Sequence, residues 1–393
     1  MPKVAIFAER MLPSTQTFIP LQVNELRRYT PQYVGLIPAE RNYPLSVEPI
    51  LLSHDRTSGS RIRRELYRWT GVAPSFHRAV HLSGVNLLHA HFAEGASPAL
   101  FLSRALNLPL VIHLRGGAEL FSEAELRRLP FEWPYLAFRK QLWKRASRFL
   151  CVSQFICDQA ARAGFPKDKL GVHHTGMNFD TFHVKLPVED RDPNLVLYVG
   201  RLVPYKGCDY LLRAMQRVQQ RRPNAHLVVI GDGHFRPALE QLAGELQLSC
   251  QFLGEQKQSV VRDWLERARV FCLPSVTIEG GMAEAFGNVF SEAQAMGVPV
   301  VSSRHGGIPE TMLEGVTGLL APERDVEMLA AHLLRYLEDD GFWNYSRTQA
   351  MTWVRQHFDV RTQTAKLEQT YDCVVQGFNP HAFAQTAPPE SAV

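Results

Sequence analysis

Four charged residues in the second half of the chain have types and spacing suited to holding an anionic sugar donor. Arg201 and Lys206 lie five apart in "YVGRLVPYKG", and Glu284 and Glu292 bracket "AFGNVFS" in "EAFGNVFSE". An Arg fork binds two phosphate oxygens, and a Lys supplies a compact charge beside it. Together they can offset two negative charges of a diphosphate. "NVFSEAQAM" carries apolar residues at helical spacing before Gly297 and Pro299, so a helix is predicted to start near Asn288. The free N–H groups of such a start, with the positive end of the helix dipole, form an anion site. Gly287 allows a phosphate to approach the backbone closely. The two carboxylates flank this position. They are poor phosphate ligands but good acceptors for hydroxyls, one for a transferred sugar and one for a ribose. Taken singly, each of these residues is also what a solvated surface carries; the coincidence of all of them is the signal.

These residues need strands to carry them. In the first half, "KVAIFAE", "YVGLIP", "VNLLHAHF", "LPLVIHLRGG" and "RFLCVS" are short apolar runs alternating with helical patterns. The rhythm restarts after the polar stretch 184–194 with "LVLYVGR", where Gly200 ends the strand without a side chain. It continues through "AHLVVIGDG", "CQFLGE", "RVFCLPS", "VPVVSS" and "TGLLAP". Alternation of this kind predicts parallel sheets covered on both faces, one per half. The fold class expected is α/β, two Rossmann-like βαβ domains facing across a cleft. The boundaries read as 1–184, 185–345, a pair of terminal helices over 346–376 packing back toward the first domain, and a Pro- and Ala-rich tail over 377–393. Ligands of open α/β sheets gather at the carboxyl ends of strands, which is where "VGR" and "GDG" fall. "GDG" lacks the third glycine of a dinucleotide fingerprint, and no P-loop occurs.

The composition, 45% hydrophobic and 21% charged, is that of a globular protein able to bury cores without staples. Six scattered cysteines match no zinc pattern and fit a reducing cytoplasm. No signal peptide or membrane-spanning run is expected. Residues 1–185 carry a charge balance of +10 and residues 186–393 one of −6. A basic front half suits an anionic partner, such as nucleic acid, acidic lipid or a phosphorylated acceptor.

"VGRLVPYKG", "GDG", "FLGE", "EAFGNVFSE", "GVPVVSS" and "GGIPETMLEGVTGLL" resemble the family 4 retaining glycosyltransferases of GT-B architecture, over most of the chain. "PSTQTFI" and "LHAHFAEGA" are similar to bacterial members that build exopolysaccharide on a lipid carrier. The resemblance implies an enzyme that transfers a hexose from a nucleotide sugar, UDP-glucose or UDP-galactose, to a polysaccharide or lipid-linked oligosaccharide, without metal or other cofactor and without nucleic acid. It implies that Arg201 and Lys206 neutralise the diphosphate, Glu284 holds donor-sugar hydroxyls and Glu292 the ribose. Phe286, Gly287, Asn288 and Val289 would present main chain, and the backbone near Gln256 would face the base. Where the family carries a His near the reacting centre, this chain reads "IHLRGGAEL". Arg115 takes that slot, His113 lies two residues earlier on the same strand face, and the acidic residue falls at Glu119. His91 is assigned to the acceptor side, with Ser14, Thr15 and Gln16 replacing the family's glycine-rich loop. The basic stretch "RKQLWKRASR" (139–148) fits peripheral contact with an anionic membrane from the cytoplasm. Two rival readings stand: an epimerase or phosphorylase of the same architecture, and a non-catalytic sugar-nucleotide binder.

Overall fold

The computed structural model describes residues 1–12, 16–38, 45–93, 95–278 and 283–377. The chain forms two units, one of Met1–Gly176 rejoined from Val360 onward and one of Met177–Asp359.

The first unit is built on seven parallel strands: β1 (Lys3–Met11), β2 (Thr30–Pro38), β3 (Ile50–Leu51), β4 (Leu87–His91), β5 (Leu110–Leu114), β6 (Arg148–Cys151) and β7 (Leu170–Val172). Their order is β3-β2-β1-β4-β5-β6-β7. β4 and β5 are buried at every position, because helices cover both faces of a parallel sheet. Their register sets His91 opposite His113 at the carboxyl ends.

The second unit has six parallel strands: β8 (Leu195–Val199), β9 (His226–Ile230), β10 (Cys250–Gly254), β11 (Val270–Leu273), β12 (Val300–Ser303) and β13 (Gly318–Ala321). Their order is β10-β9-β8-β11-β12-β13. The strand order reverses at β8, with β9 on one side and β11 on the other. Loops that leave the carboxyl ends of neighbouring strands in opposite directions open a ligand crevice there.

The two terminal helices part company. Asp340–Phe358 stays with the second unit, where Trp343 Nε1 donates to the Arg269 carbonyl at 2.7 Å and Phe358 packs edge-on against Phe286. Only Val360–Val375 joins the first unit, so the expectation that residues 346–376 return together is corrected. The crossing at 176–177 also lies upstream of the polar stretch read as the boundary. In the first unit, Leu367 and Tyr371 complete a core with Val4, Ile6, Leu87 and Val111. The Glu368 carboxylate accepts the N–H groups of Arg27 and Arg28 at 2.8 and 2.6 Å. The tail read over 377–393 falls, from residue 378 onward, outside the described residues.

A chain segment so distant in sequence is therefore part of the first unit's interior. Leu367→Ala is expected to destabilise that unit by about 2–5 kcal/mol, the range for emptying a buried leucine site. Urea unfolding followed by circular dichroism would measure it, and a loss below about 1 kcal/mol would contradict the packing.

Candidate functional site

The second unit brings Lys206 and Glu284 together. Lys206 ends a short turn, Pro204–Lys206, that follows β8, and its Nζ donates to Glu284 Oε2. Both side chains are 12% exposed, so the pair is largely withdrawn from water. Gly207, next in the chain, has φ of +67° and lies so close to the Pro274 carbonyl that a Cβ would come within 1.9 Å of its oxygen. Only glycine can sit there, and the contact clamps the Lys206 turn to the end of β11. Val276 N–H donates to the Tyr205 carbonyl at 2.7 Å and strengthens the same clamp. Arg201 is exposed and donates to the Tyr205 hydroxyl at 2.6 Å. Lys206 Nζ stands 5.3 Å from the same ring, so Tyr205 positions both cations.

Glu284 is fixed through its main chain. Its N–H donates to His305 Nε2 at 3.1 Å, and its carbonyl accepts the Gly307 N–H at 2.8 Å. Because Nε2 accepts, the His305 proton belongs on Nδ1, which faces Glu323 Oε1 at 2.9 Å. Glu323 also accepts from Thr277, from N–H at 2.6 Å and from the hydroxyl at 2.9 Å. Burial alone would raise the Glu323 carboxyl, but the hydrogen bonds from Thr277 and His305 outweigh it and hold the group below its ordinary value. His305, Glu323 and Thr277 were not found from the sequence. The Gly306–Gly307 pair of "RHGGIPE" was the one visible mark of this turn.

The helix Asn288–Ala295 starts where the spacing predicts. Gly287, with φ of +83°, precedes it, and a Cβ there would come within 2.6 Å of the Phe290 ring. Phe286 and Phe290 are buried against Phe358 and Phe271, at ring distances of 5.2 and 5.8 Å. These contacts fix the first turn from behind. No side chain caps it, and the N–H groups of Gly287, Asn288 and Val289 have no hydrogen-bond partner among the described residues. Glu292 is half-buried one turn on, with no hydrogen bond or ion pair among the described residues, and burial pushes its carboxyl up to about 7. Gly200 follows β8 and donates to the Ile230 carbonyl at 3.0 Å. Gln256 is exposed after β10, its amide on the Leu253 carbonyl at 2.6 Å.

In the first unit the expectations need correction. His113 and His91 are interior: β4 and β5 are buried on both faces, so sharing a face with Arg115 does not bring His113 to the surface. His113 Nε2 donates to the His173 carbonyl at 3.3 Å, and its Nδ1 accepts from Arg115 Nη2 at 3.4 Å. Burial, with the Arg115 charge beside them, drives His113, His91 and His89 well below the ordinary histidine value, so all three are neutral. One ring nitrogen from each lies within 4.8 Å of the others, the one group among the described residues with metal-ligand spacing. Arg115 sits over the Phe18 ring and donates to Thr175 at 3.2 Å. Burial lowers it to about 9, with Glu119 opposing. Glu119 is a brace: it accepts the N–H groups of Ala93, Arg115 and Gly116 at 2.7, 2.7 and 2.9 Å. Gln16 caps a turn through its carbonyl, to Ile19 N–H at 3.1 Å, while Ser14 and Thr15 lie outside the described residues.

The stretch 139–148 does not present an apolar-basic face. Leu142 and Ala146 are buried, Trp143 packs on Phe165, and Arg139, Arg145 and Arg148 are tied to Glu123, Ser103 and Asp168. Lys140 and Lys144 alone of its cations are exposed, and Lys140 lies in the field of the Glu123 carboxylate.

Glu292 makes a pH prediction. Its folded pKa, about 7, lies above the ordinary 4.5, so the folded state holds a proton that the unfolded state releases. That contribution is complete below the unfolded value and is lost as pH rises through about 7. Relative to Glu292→Gln, the wild type should lose on the order of 2 kcal/mol between about pH 5 and pH 8. Parallel urea titrations would measure it, and a difference independent of pH would contradict the burial of an unpaired carboxyl.

Residues 180–352 match the family described as Glycosyl transferases group 1, and residues 27–181 match Glycosyltransferase Family 4. The putative colanic acid biosynthesis glycosyltransferase WcaL of Salmonella typhimurium is 30% identical over 79% of this chain and 83% of its own. The amylovoran biosynthesis glycosyltransferase AmsK of Erwinia amylovora is 31% identical over 56% of this chain and 53% of its own. A GDP-mannose-dependent monoacylated α-(1-6)-phosphatidylinositol monomannoside mannosyltransferase of Corynebacterium glutamicum is 38% identical over 39% of this chain and 40% of its own. The chain thus spans about half the length of the last two. Anabaena HepE, solved with UDP and glucose, shares the fold with a TM-score of 0.73 and 21% identity, over 95% of this chain and all of that one. With both halves matched and the Salmonella relative aligned across most of its length, this chain belongs to the group 1 glycosyltransferases of family 4, built on the GT-B architecture.

Proposed function

We propose that this protein is a retaining glycosyltransferase that moves a hexose, glucose or galactose, from its UDP-sugar to a polysaccharide or lipid-linked oligosaccharide, with no metal in the reaction. The observation that carries the reading is the Lys206–Glu284 pair, held on two clamped loops of the unit that also holds the uncapped helix start at Asn288. The bond broken joins the anomeric carbon to the donor phosphate, and negative charge gathers on the leaving diphosphate. Arg201, Lys206 and the N–H groups of Gly287, Asn288 and Val289 are donors suited to that charge. They are already oriented, so little reorganisation accompanies the transition state. Glu284, oriented by His305 and Gly307 and paired with Lys206, accepts hydroxyls of the departing sugar. Glu292 accepts from the ribose, whose hydroxyls supply the hydrogen bonds its buried carboxyl lacks. Gln256 lies where main chain would meet the base. Arg115, charged and braced by Glu119, supplies a donor on the acceptor unit in place of a catalytic histidine.

Solved relatives of this fold carry UDP and UDP-glucose, which supports a uridine nucleotide. A second reading, a GDP-mannose donor, is favoured by the mannosyltransferases of Corynebacterium glutamicum and Mycolicibacterium smegmatis, 38% and 32% identical over the aligned segments. A panel of nucleotide sugars, with release of UDP or GDP followed with and without saccharide acceptors, separates the two. Release that requires an acceptor is expected. Turnover of the donor without acceptor would point to an epimerase, release of sugar phosphate to a phosphorylase, and nucleotide binding without turnover to a sensor.

Lys206→Ala and Glu284→Ala should each lower kcat by about 10²–10³, the cost of removing one preorganised donor or its partner. Because the two form one pair, the double variant should lose less than the product of the single losses. Unchanged turnover in either single variant, with the fold intact, would contradict the site.

A further inference from the structure

The place of Glu284 is set by residues that the transfer chemistry does not use directly. His305 follows β12 and is buried, and its ring meets both Glu284 and Thr277. Nε2 accepts the Glu284 N–H, and the Nδ1 proton is shared between Glu323 Oε1 at 2.9 Å and the Thr277 hydroxyl oxygen at 3.2 Å. Gly306, next in the chain, has φ of +54° and lies so close to the Glu284 carbonyl that a Cβ would come within 2.2 Å of its oxygen. Only glycine allows that approach, so the turn keeps the imidazole against the Glu284 main chain.

Glu323 and Arg324 follow β13 and hold Thr277 from two sides. Glu323 takes its N–H at 2.6 Å and its hydroxyl proton at 2.9 Å, and Arg324 Nη2 donates to its carbonyl. Arg324 has φ of +65°, in the left-handed region, a strained setting for any residue but glycine. Val276 N–H is on the Tyr205 carbonyl, beside Lys206. The contacts form a closed ring, from Lys206 to Glu284, His305, Glu323, Thr277 and back through Val276 and Tyr205. The ring joins the loops that follow β8, β11, β12 and β13.

A carboxylate that receives sugar hydroxyls acts only where it is placed, and a misplacement of about 1 Å can cost on the order of 10²-fold in rate. The placement here depends on one proton. Glu323 accepts at Nδ1, which leaves the Nε2 lone pair for the Glu284 N–H. The opposite tautomer would set N–H against N–H.

We propose that His305 is a positioning residue for sugar transfer. With its tautomer set by Glu323 and the adjoining loop held by Arg324 at Thr277, it fixes where the Glu284 carboxylate stands. The proposal rests on the reading of Glu284 as the group that receives donor-sugar hydroxyls.

The test is a cycle of variants on nucleotide release from UDP-glucose, UDP-galactose and GDP-mannose in the presence of saccharide acceptors, each variant being checked by circular dichroism. His305→Phe is expected to lower kcat at least about tenfold while the affinity for UDP alone, measured by calorimetry, changes less than about threefold. In a Glu284→Ala background the same substitution should lower kcat by less than about twofold, because no carboxylate is left to place. His305→Gln, whose side-chain carbonyl accepts the Glu284 N–H, should return kcat to within about threefold of wild type. Glu323→Gln, which replaces one accepting oxygen with a donor, should lower kcat and add no further loss to His305→Phe. Equal losses from His305→Phe in both backgrounds, no recovery in His305→Gln, or a fall in UDP affinity as large as the fall in kcat would make the ring an ordinary packing element and overturn the proposal. So would full turnover in His305→Phe beside an impaired Glu284→Ala. Full turnover in Glu284→Ala would instead remove the site reading itself, and the proposal with it. Should His305→Phe fail to fold, Glu323→Gln decides through the same cycle with Glu284→Ala.

Discussion

The contact between Lys206 and Glu284 ties together two loops that leave different strands of the second sheet. An ion pair this far from water is a poor source of stability, since desolvating both charges offsets most of their attraction. Its consequence is positional. The ammonium is presented by a turn pinned to Pro274, and the carboxylate by a segment whose N–H and C=O are both taken, by His305 and Gly307. Neither group can retreat far when the other is engaged by a ligand. Behind them Glu323 orients the His305 ring, so the network from Thr277 to Lys206 is continuous through hydrogen bonds.

The same unit carries two features that cost stability. The first turn of Asn288–Ala295 is left without a cap, although a Ser, Thr or Asp before it would add about 1 kcal/mol. Glu292 is half-buried without a hydrogen bond or ion pair among the described residues, and burial drives its carboxyl toward the protonated form. Phe286 and Phe290 hold this turn rigidly from the core side, so the unpaired N–H groups are fixed in direction. Stability given up in the same small region, on a scaffold otherwise well packed, is the pattern expected of a functional site.

Much of this was legible in the residues. Short Val-, Ile- and Leu-rich runs between helical stretches imply parallel sheets, and both sheets are parallel. Gly287 followed by an apolar helical pattern marks the helix start. Other features left no local trace. His305 acts through Glu284, twenty-one positions away in sequence, and only the folded loops bring them together. Alternation put His113 on the face of Arg115, but whether that face is covered depends on helices elsewhere in the chain. The helical pattern from 340 to 375 is nearly continuous, and Asp359, where the chain passes from one unit to the other, carries no turn signal stronger than its neighbours. The amphipathic pattern of Ser58–Thr70 likewise marks a helix without revealing that apolar side chains lie on both its inner and outer faces.

The account rests on the second unit receiving a nucleoside diphosphate at the start of the helix that follows Gly287. A crystal structure of the protein grown with UDP tests this most directly. The account predicts diphosphate oxygens about 3 Å from the N–H groups at Gly287–Val289 and from Arg201 and Lys206, with the ribose on Glu292. UDP bound elsewhere, or a site left closed with Lys206 and Glu284 joined as they are here and no nucleotide beside them, would contradict it.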